Sequence, residues 1–364
     1  MTELQQWHLS HGGTGTPLAA TGCAVASYGN LDEELAWGRT RALVVDRSAC
    51  ARIQISGNDR RDLLQRLTTN DVLKIEEGRG VPTVFTTGKG RIVDRVVVHA
   101  ASDGDLIIGS AHRAQAIAEW INKYVIREDV SLSDITDSTA MIDVVGPKAA
   151  ESLHAPLLAF AHLHEMAVID VQGVQVLAIR TDPVAGLTVR LMVPATLAPV
   201  VMEFMLGKGA RLGGSDAYNA LRLEAGLPLY GPDLNESFTP LEAGLVDTLH
   251  FNKGCYVGQE VVARIDTYMK QRRYLIALEL EGAPPAAGAQ LLLPNGDAGE
   301  VTSAASVGGG KSRALGYIKT EDPRVGMEVS VSDGGVARTA VIMNRPAQAP
   351  APKGGEGNQC AVVV

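Results

Sequence analysis

The sequence predicts an α+β fold that ends in a small β-barrel. Strand-like and helix-like segments alternate through residues 41–225, with strands in excess. From residue 273 onward, short β-prone runs alternate with turns rich in Gly and Pro, and this pattern is typical of a small β-barrel. A chain of 364 residues is too long for one ordinary domain and indicates two or three.

The first segments predict a strand–strand–helix unit. Residues 41–46 form a short apolar run, and residues 52–56 alternate apolar and polar side chains, as strands do. Leucines at 63, 64 and 67 then share one face of a helix preceded by the capping residues Asn58 and Asp59.

The remaining elements follow from the same two periodicities and from turn residues. Helices are predicted within residues 110–124, 148–153 and 216–225. Strands are predicted at 91–100, 106–109, 141–145 and 187–193, and a hairpin at 168–180 turns at Gln172 and Gly173. The six barrel strands are expected at 274–280, 290–293, 300–304, 314–318, 328–331 and 336–343.

Composition and charge exclude several classes of function. A net charge of −8 argues against nonspecific binding to nucleic acid, which depends on neutralising phosphates. No apolar run approaches the ~20 residues of a membrane span, and the first seventeen residues lack the pattern of a secretory signal. We therefore expect a cytoplasmic protein that binds neither membrane nor nucleic acid.

No metal site is predicted. The four cysteines, Cys23, Cys50, Cys255 and Cys360, are far apart and form no C-x-x-C pair. The histidine pairs at 8/11 and 162/164 stand in no ligand motif, so core or solvated roles are favoured. Residues 308–312 end like a phosphate loop, but a strand-like run follows where a helix is required, which indicates a hairpin.

Residues 253–260, Lys-Gly-Cys-Tyr-Val-Gly-Gln-Glu, carry the strongest chemical signal. Cys255 lies between two glycines and close to Lys253, whose ammonium would favour a thiolate. Gly258 could open a short helix that adds backbone N–H groups nearby. Taken alone, the pattern leaves two interpretations open, since free cysteines also serve as small buried hydrophobes.

This segment resembles the K-G-C-Y-x-G-Q-E signature of YgfZ-type proteins. Seven specified positions match: Lys253, Gly254, Cys255, Tyr256, Gly258, Gln259 and Glu260. Residues 67–72, 146–148 and 221–231 also resemble blocks of the wider glycine-cleavage T-protein superfamily, in the same order.

The resemblance implies a three-domain ring around a central folate cavity, closed by a C-terminal β-barrel. We therefore expect two α+β domains in residues 1–270, the first discontinuous, a barrel in 271–345 and a disordered tail in 346–364. It also implies tetrahydrofolate, or a one-carbon derivative, as cofactor, iron–sulfur client or assembly proteins as partners, and Cys255 with Lys253 as the reactive pair.

Comparison with the T-protein pattern gives three folate-binding candidates, Asp94, Arg222 and Glu224. Asp94 fills the first position of an acidic pair, but Arg95 fills the second. The T-protein's Gly-Tyr-Thr-Gly-Glu segment, whose carboxylate helps to hold the pterin, corresponds roughly to residues 182–186, where that carboxylate is missing at the expected place. Arg222 and Glu224 lie two residues apart and should point to different sides of a helix, so one of them can be structural.

These departures leave two principal hypotheses open. The first is a folate-binding accessory protein for iron–sulfur clusters that uses the Cys255 thiol. The alternative is a folate-dependent aminomethyl- or methyltransferase, which requires a carboxylate such as Asp94 more than a thiol. A third possibility is a folate-binding scaffold without chemistry of its own.

Overall fold

The computed structural model describes residues 3–153, 161–267, 271, 273–293, 296–320 and 323–344. The α-helices in these ranges are α1 Glu3–Ser10, α2 Leu31–Thr40, α3 Arg60–Leu67, α4 Ala114–Asn122, α5 Ala149–Leu153, α6 Ala198–Gly207, α7 Ser215–Glu224 and α8 Gln259–Thr267. In this part of the chain, no helix is long and apolar enough to cross a membrane.

The strands outnumber the helices, as the sequence predicts. They are β1 Leu43–Asp46, β2 Cys50–Ser56, β3 Gly80–Thr86, β4 Ile92–Ala101, β5 Gly104–Ala111, β6 Ser131–Asp134, β7 Thr139–Val145, β8 Met166–Val171, β9 Val174–Thr181, β10 Thr188–Pro194, β11 Arg211–Leu212, β12 Arg273–Glu281, β13 Gln290–Leu293, β14 Gly296–Gly308, β15 Lys311–Lys319, β16 Glu328–Asp333 and β17 Val336–Asn344.

Two open sheets are built from interleaved parts of the chain. The six-stranded sheet has the order β11-β1-β7-β10-β9-β8, and the five-stranded sheet has the order β3-β4-β5-β2-β6. After β1 the chain therefore leaves the first sheet, completes the second, and returns to the first at β7. Each sheet buries one face in its own apolar cluster, with α3 and α4 packed on the five-stranded sheet and α6 on the other.

The C-terminal strands close into a barrel of order β12-β15-β14-β13-β16-β17, which confirms the predicted barrel. All six predicted runs coincide with strands, because local alternation and glycine turns specify them. The β14–β15 hairpin turns at Gly309 and Gly310, both at positive φ, so the phosphate-loop-like segment is a hairpin as expected. The predicted tail, including Cys360, lies outside the described residues.

Local chemistry explains the other confirmed elements. The β8–β9 hairpin turns at Gln172 and Gly173, whose φ values of 53° and 82° suit a type I′ turn. Helix α7 ends before Gly226, which adopts the left-handed conformation common after helix ends. One detail differs from the prediction: the Asp59 side chain does not cap α3 but accepts a hydrogen bond from the Asp129 amide.

Candidate functional site

A cavity of about 220 Å³ lies where the three sheets meet. Its wall combines β4 and β5 of the five-stranded sheet, the end of β9 and part of β10 of the six-stranded sheet, helix α7, the loop at 225–230, and Asn344 at the end of the barrel. Residues widely separated in the sequence therefore converge on one central space. The mixture of apolar and charged residues on its wall suits a small organic ligand.

Buried ion pairs line the cavity on the side of the six-stranded sheet. Arg190 on β10 holds both oxygens of Asp143 at 2.7 and 2.8 Å, and Arg47 contacts the same carboxylate at 3.2 Å. Although burial alone would raise it, these two guanidinium groups hold the pKa of Asp143 below its ordinary value. Arg47 also donates to the Tyr218 hydroxyl at 2.7 Å, which ties α7 to this sheet.

A second ion-pair group joins the two open sheets. The Arg95 guanidinium on β4 lies 3.0 Å from a carboxylate oxygen of Asp182, which follows β9. The same guanidinium is 3.8 Å from Asp247, in the short 3₁₀ turn Val246–Thr248. Burial alone would raise the pKa of Asp182, but the charge of Arg95 outweighs burial and holds this pKa below its usual range. At Asp247 burial is the larger effect, and it raises the pKa.

Arg222 brings an unused donor to the cavity wall. It is 1% exposed, donates to Asp233 at 2.7 Å through Nη1, and donates to Asn219 at 2.9 Å through Nε. Its Nη2 group is buried and has no hydrogen-bond partner within the described residues. A buried guanidinium nitrogen without a partner is costly, and a shift of the Arg222 side chain would be needed to bring this donor to a ligand in the cavity.

The other two folate-binding candidates do not line the cavity. Asp94 is fully buried behind it and accepts hydrogen bonds from the Ser110 hydroxyl at 2.7 Å and from Arg113 at 3.2 Å. Burial raises the pKa of Asp94 to about 6. Glu224 points away from Arg222, as the spacing predicts, and forms a bidentate ion pair with Arg39. Glu224 thus joins α7 to α2 instead of facing the cavity.

The Cys255 thiol is exposed on a loop that packs against the five-stranded sheet. Gly258 has a φ of 87°, and a Cβ there would lie 2.5 Å from the Thr87 carbonyl oxygen. The Val257 amide donates to the Arg66 carbonyl at 3.0 Å. Helix α8 begins directly after Gly258, as the sequence suggests, so an exposed thiol stands just ahead of an anchored helix start.

Lys253 is bound to the protein backbone. Its Nζ donates to the carbonyls of Gln65, Thr68 and Asn70 at 2.7, 2.6 and 2.6 Å. An ammonium has three N–H donors, so none remains for the Cys255 thiolate. Proximity in the sequence predicts instead that Lys253 favours that thiolate. Burial lowers the pKa of Lys253 to about 7. The contact instead anchors the signature loop to the end of α3.

The other signature residues surround this loop. Tyr256 is partly buried, with the Lys253 ammonium 5.5 Å from its ring centre. Gln259 and Glu260 begin α8, and Glu260 is exposed. Gly254 has a φ of 54°, and a Cβ added there would meet no heavy atom within 4 Å, so its role is conformational.

Sequence reasoning did not identify four charged residues that matter here, Arg47, Asp143, Asp182 and Arg190. A signal was present for two of them. Asp143 and Arg190 each interrupt an otherwise apolar run that becomes a buried strand, and a lone charge in such a strand needs a buried partner. Asp182 carried no comparable signal, because it precedes a proline in what reads as an ordinary turn.

This architecture defines a protein with the fold of the glycine-cleavage aminomethyltransferases. The crystal structure of aminomethyltransferase T from Bartonella henselae superposes with a TM-score of 0.83 at 20% identity, covering 94% of this chain and 96% of that one. The α+β fold predicted from the sequence is thereby confirmed.

The family assignment rests on sequence. The family model described as the GCVT N-terminal domain matches residues 4–253. A putative chloroplastic transferase of Arabidopsis thaliana is 33% identical over 319 residues, covering 85% of this chain and 72% of that protein. An aminomethyltransferase of Thermotoga maritima is 31% identical over 335 residues, covering 88% and 90%. The chain belongs to this aminomethyltransferase, or T-protein, family.

Proposed function

We propose that the protein binds tetrahydrofolate, or a one-carbon derivative of it, in the central cavity and serves as a YgfZ-type accessory protein for iron–sulfur clusters. Cys255 supplies the working thiol. The observation that carries this proposal is the exposed thiol within a complete signature, held in place by the contacts of Lys253, Val257 and Gly258. A reactive cysteine needs both access and a fixed environment.

The cavity supports the folate part of the proposal. A pteridine ring and its amide-linked tail carry carbonyl, ring-nitrogen and carboxylate acceptors, and the buried Nη2 of Arg222 is a donor that lacks one. The loop that includes Leu229 and Tyr230 offers apolar surface on the same wall. Family membership favours the same ligand, since several relatives are named aminomethyltransferases.

The ion pair of Arg95 argues against transfer chemistry of the T-protein type. At this position the T-protein pattern has the second carboxylate of an acidic pair. Here a guanidinium replaces it and is already bound to Asp182 at 3.0 Å. Asp94, the remaining acid of the pair, is fully buried and engaged with Ser110 and Arg113. Neither group is available to accept a proton from a ligand in the cavity without rearrangement.

Two measurements test the proposal. Calorimetric titration of the purified protein with tetrahydrofolate should show stoichiometric binding. In cells, Cys255→Ala should lower the activities of iron–sulfur enzymes under oxidative stress, whereas Cys360→Ala, the matched cysteine control, should not. Unchanged enzyme activities in the Cys255→Ala strain would remove the thiol from the proposed function.

A second candidate is a true aminomethyltransferase, which the names of these relatives favour. It predicts turnover when the glycine-cleavage carrier protein is added together with tetrahydrofolate. In that case Asp94→Asn should abolish transfer and Cys255→Ala should spare it. The opposite ranking would support the accessory function.

A further inference from the structure

Of the carboxylates that line the cavity or pair with arginines on its wall, Asp247 is the least engaged. Asp143 is held by two guanidinium groups, and Asp182 lies 3.0 Å from Arg95. Asp233 accepts from Arg222 and from two hydroxyl groups. The Asp247 carboxylate, by contrast, is 3.8 Å from Arg95, and its side chain is 44% exposed. Its remaining contacts are with the backbone amides at 247 and 248.

The backbone that carries Asp247 is nevertheless fixed. The Thr69 hydroxyl donates to the Thr248 carbonyl at 2.7 Å, and the Asn70 side chain donates to the Asp247 carbonyl at 3.1 Å. Both donors belong to the segment between α3 and β3, which also receives the Lys253 ammonium. The structure thus holds the main chain of Asp247 firmly while leaving its carboxylate on the cavity wall with acceptor capacity to spare.

One hydrogen-bond donor of a cavity-lining residue also has no partner within the described residues. Arg222 lines the same cavity, and its buried Nη2 has no partner within the described residues. The wall residue Arg222 therefore has an unfilled donor that is buried beneath the cavity surface, whereas the carboxylate at 247 is an accessible acceptor. A ligand bound by Asp247 must carry N–H donors.

We infer that Asp247 is a ligand-binding residue that accepts hydrogen bonds from the ring N–H and the neighbouring amino group of a 2-aminopyrimidinone ring. The inference rests on the proposed folate function and names the group that holds the pteridine end. Two parallel N–H donors match the two oxygens of a carboxylate, as in the bidentate pairs that guanidinium groups form. Arg95, which also lines the cavity, keeps its contact with Asp182 and compensates part of the charge of Asp247 from 3.8 Å away.

The test separates the ring of the ligand from its tail. Wild type, Asp247→Asn and Asp103→Asn are titrated with folinic acid, with tetrahydrobiopterin, which has the ring but no aminobenzoyl-glutamate, and with p-aminobenzoyl-glutamate. Asp103 is an exposed carboxylate in the turn between β4 and β5 and serves as the control. Asp247→Asn should weaken folinic acid and tetrahydrobiopterin about tenfold or more, since hydrogen bonds to charged groups are involved. Binding of p-aminobenzoyl-glutamate should not change.

Each outcome is decisive. If Asp247→Asn binds all three probes like wild type, or loses only the tail fragment, the inference is overturned while folate binding stands. If wild type binds none of the probes, both the folate proposal and the inference about Asp247 are refuted. Asp247→Ala, which lacks the amide donors of asparagine, must give the same ranking. Thermal unfolding of each variant confirms that the comparison is made between folded proteins.

Discussion

Replacing Gly258 with alanine should loosen the signature loop from the five-stranded sheet. The position has a φ of 87°, which costs a residue with a Cβ about 1–2 kcal/mol. The new methyl would also lie 2.5 Å from the Thr87 carbonyl oxygen and 3.1 Å from the Gly90 Cα, both backbone atoms. Relief requires a backbone shift, for which overpacking data give about 1–3 kcal/mol. We expect a total loss of about 2–5 kcal/mol.

Gly254 provides a matched control in the same loop. Its φ of 54° is also left-handed, but no heavy atom lies within 4 Å of a Cβ placed there. Gly254→Ala should therefore cost only the conformational part, about 1–2 kcal/mol. Urea unfolding is followed by tryptophan fluorescence, to which Trp120, packed against the core of the five-stranded sheet, contributes together with Trp7 and Trp37. Hydrogen exchange in α8 should rise in Gly258→Ala alone. Equal losses in the two variants would refute the argument from close packing.

Three further predictions concern charge and thiol accessibility. Burial lowers the pKa of His99 to about 3, so below pH 6.5 the unfolded chain binds a proton at His99 that the native state does not bind. The contribution of His99 to stability should therefore fall by about 2 kcal/mol between pH 7 and pH 5, and His99→Gln should reduce the fall in the urea midpoint by the corresponding amount. Arg95→Leu leaves the partly buried carboxylate of Asp182 without its partner and should cost about 1–3 kcal/mol in the same assay. Alkylation at pH 8, read by mass spectrometry, should modify exposed Cys255 and spare Cys23, since burial raises the pKa of Cys23 to about 12; labelling of Cys23 in native protein would contradict this.

Elements with local signals were predictable, and those held by distant contacts were not. The barrel strands and the β8–β9 hairpin were found from alternation and turn glycines. Strand β3 was missed because Pro82 interrupts it, which is tolerated here since β3 is an edge strand. Helix α2 was missed although Asn30 caps it, because its buried side chains face partners supplied by α7. Tertiary packing outweighs local propensity in such helices.

For the candidate site, the sequence located the signature loop but not the chemistry of the cavity. Cys255 is exposed, in line with the interpretation of an accessible thiol. Lys253, adjacent in sequence, turned out to serve the carbonyls at the end of α3. Sequence proximity therefore predicted the wrong contact for the ammonium, because three buried carbonyls compete for it more effectively than one exposed thiol does.

Arg95, which stands where the T-protein pattern has an acid, shows that the charged residues of the cavity depend on one another. Along the chain, Arg95 stands where the T-protein pattern has one carboxylate, and the segment at 182–186 lacks a second one at the expected place. In space, Arg95 stabilises two other carboxylates, because it contacts both Asp182 and Asp247. A partly buried Arg95 without acids, or a partly buried Asp182 without the arginine, would be destabilising. The positions must therefore change together, and relatives that carry an acid at position 95 should lack one of these two aspartates.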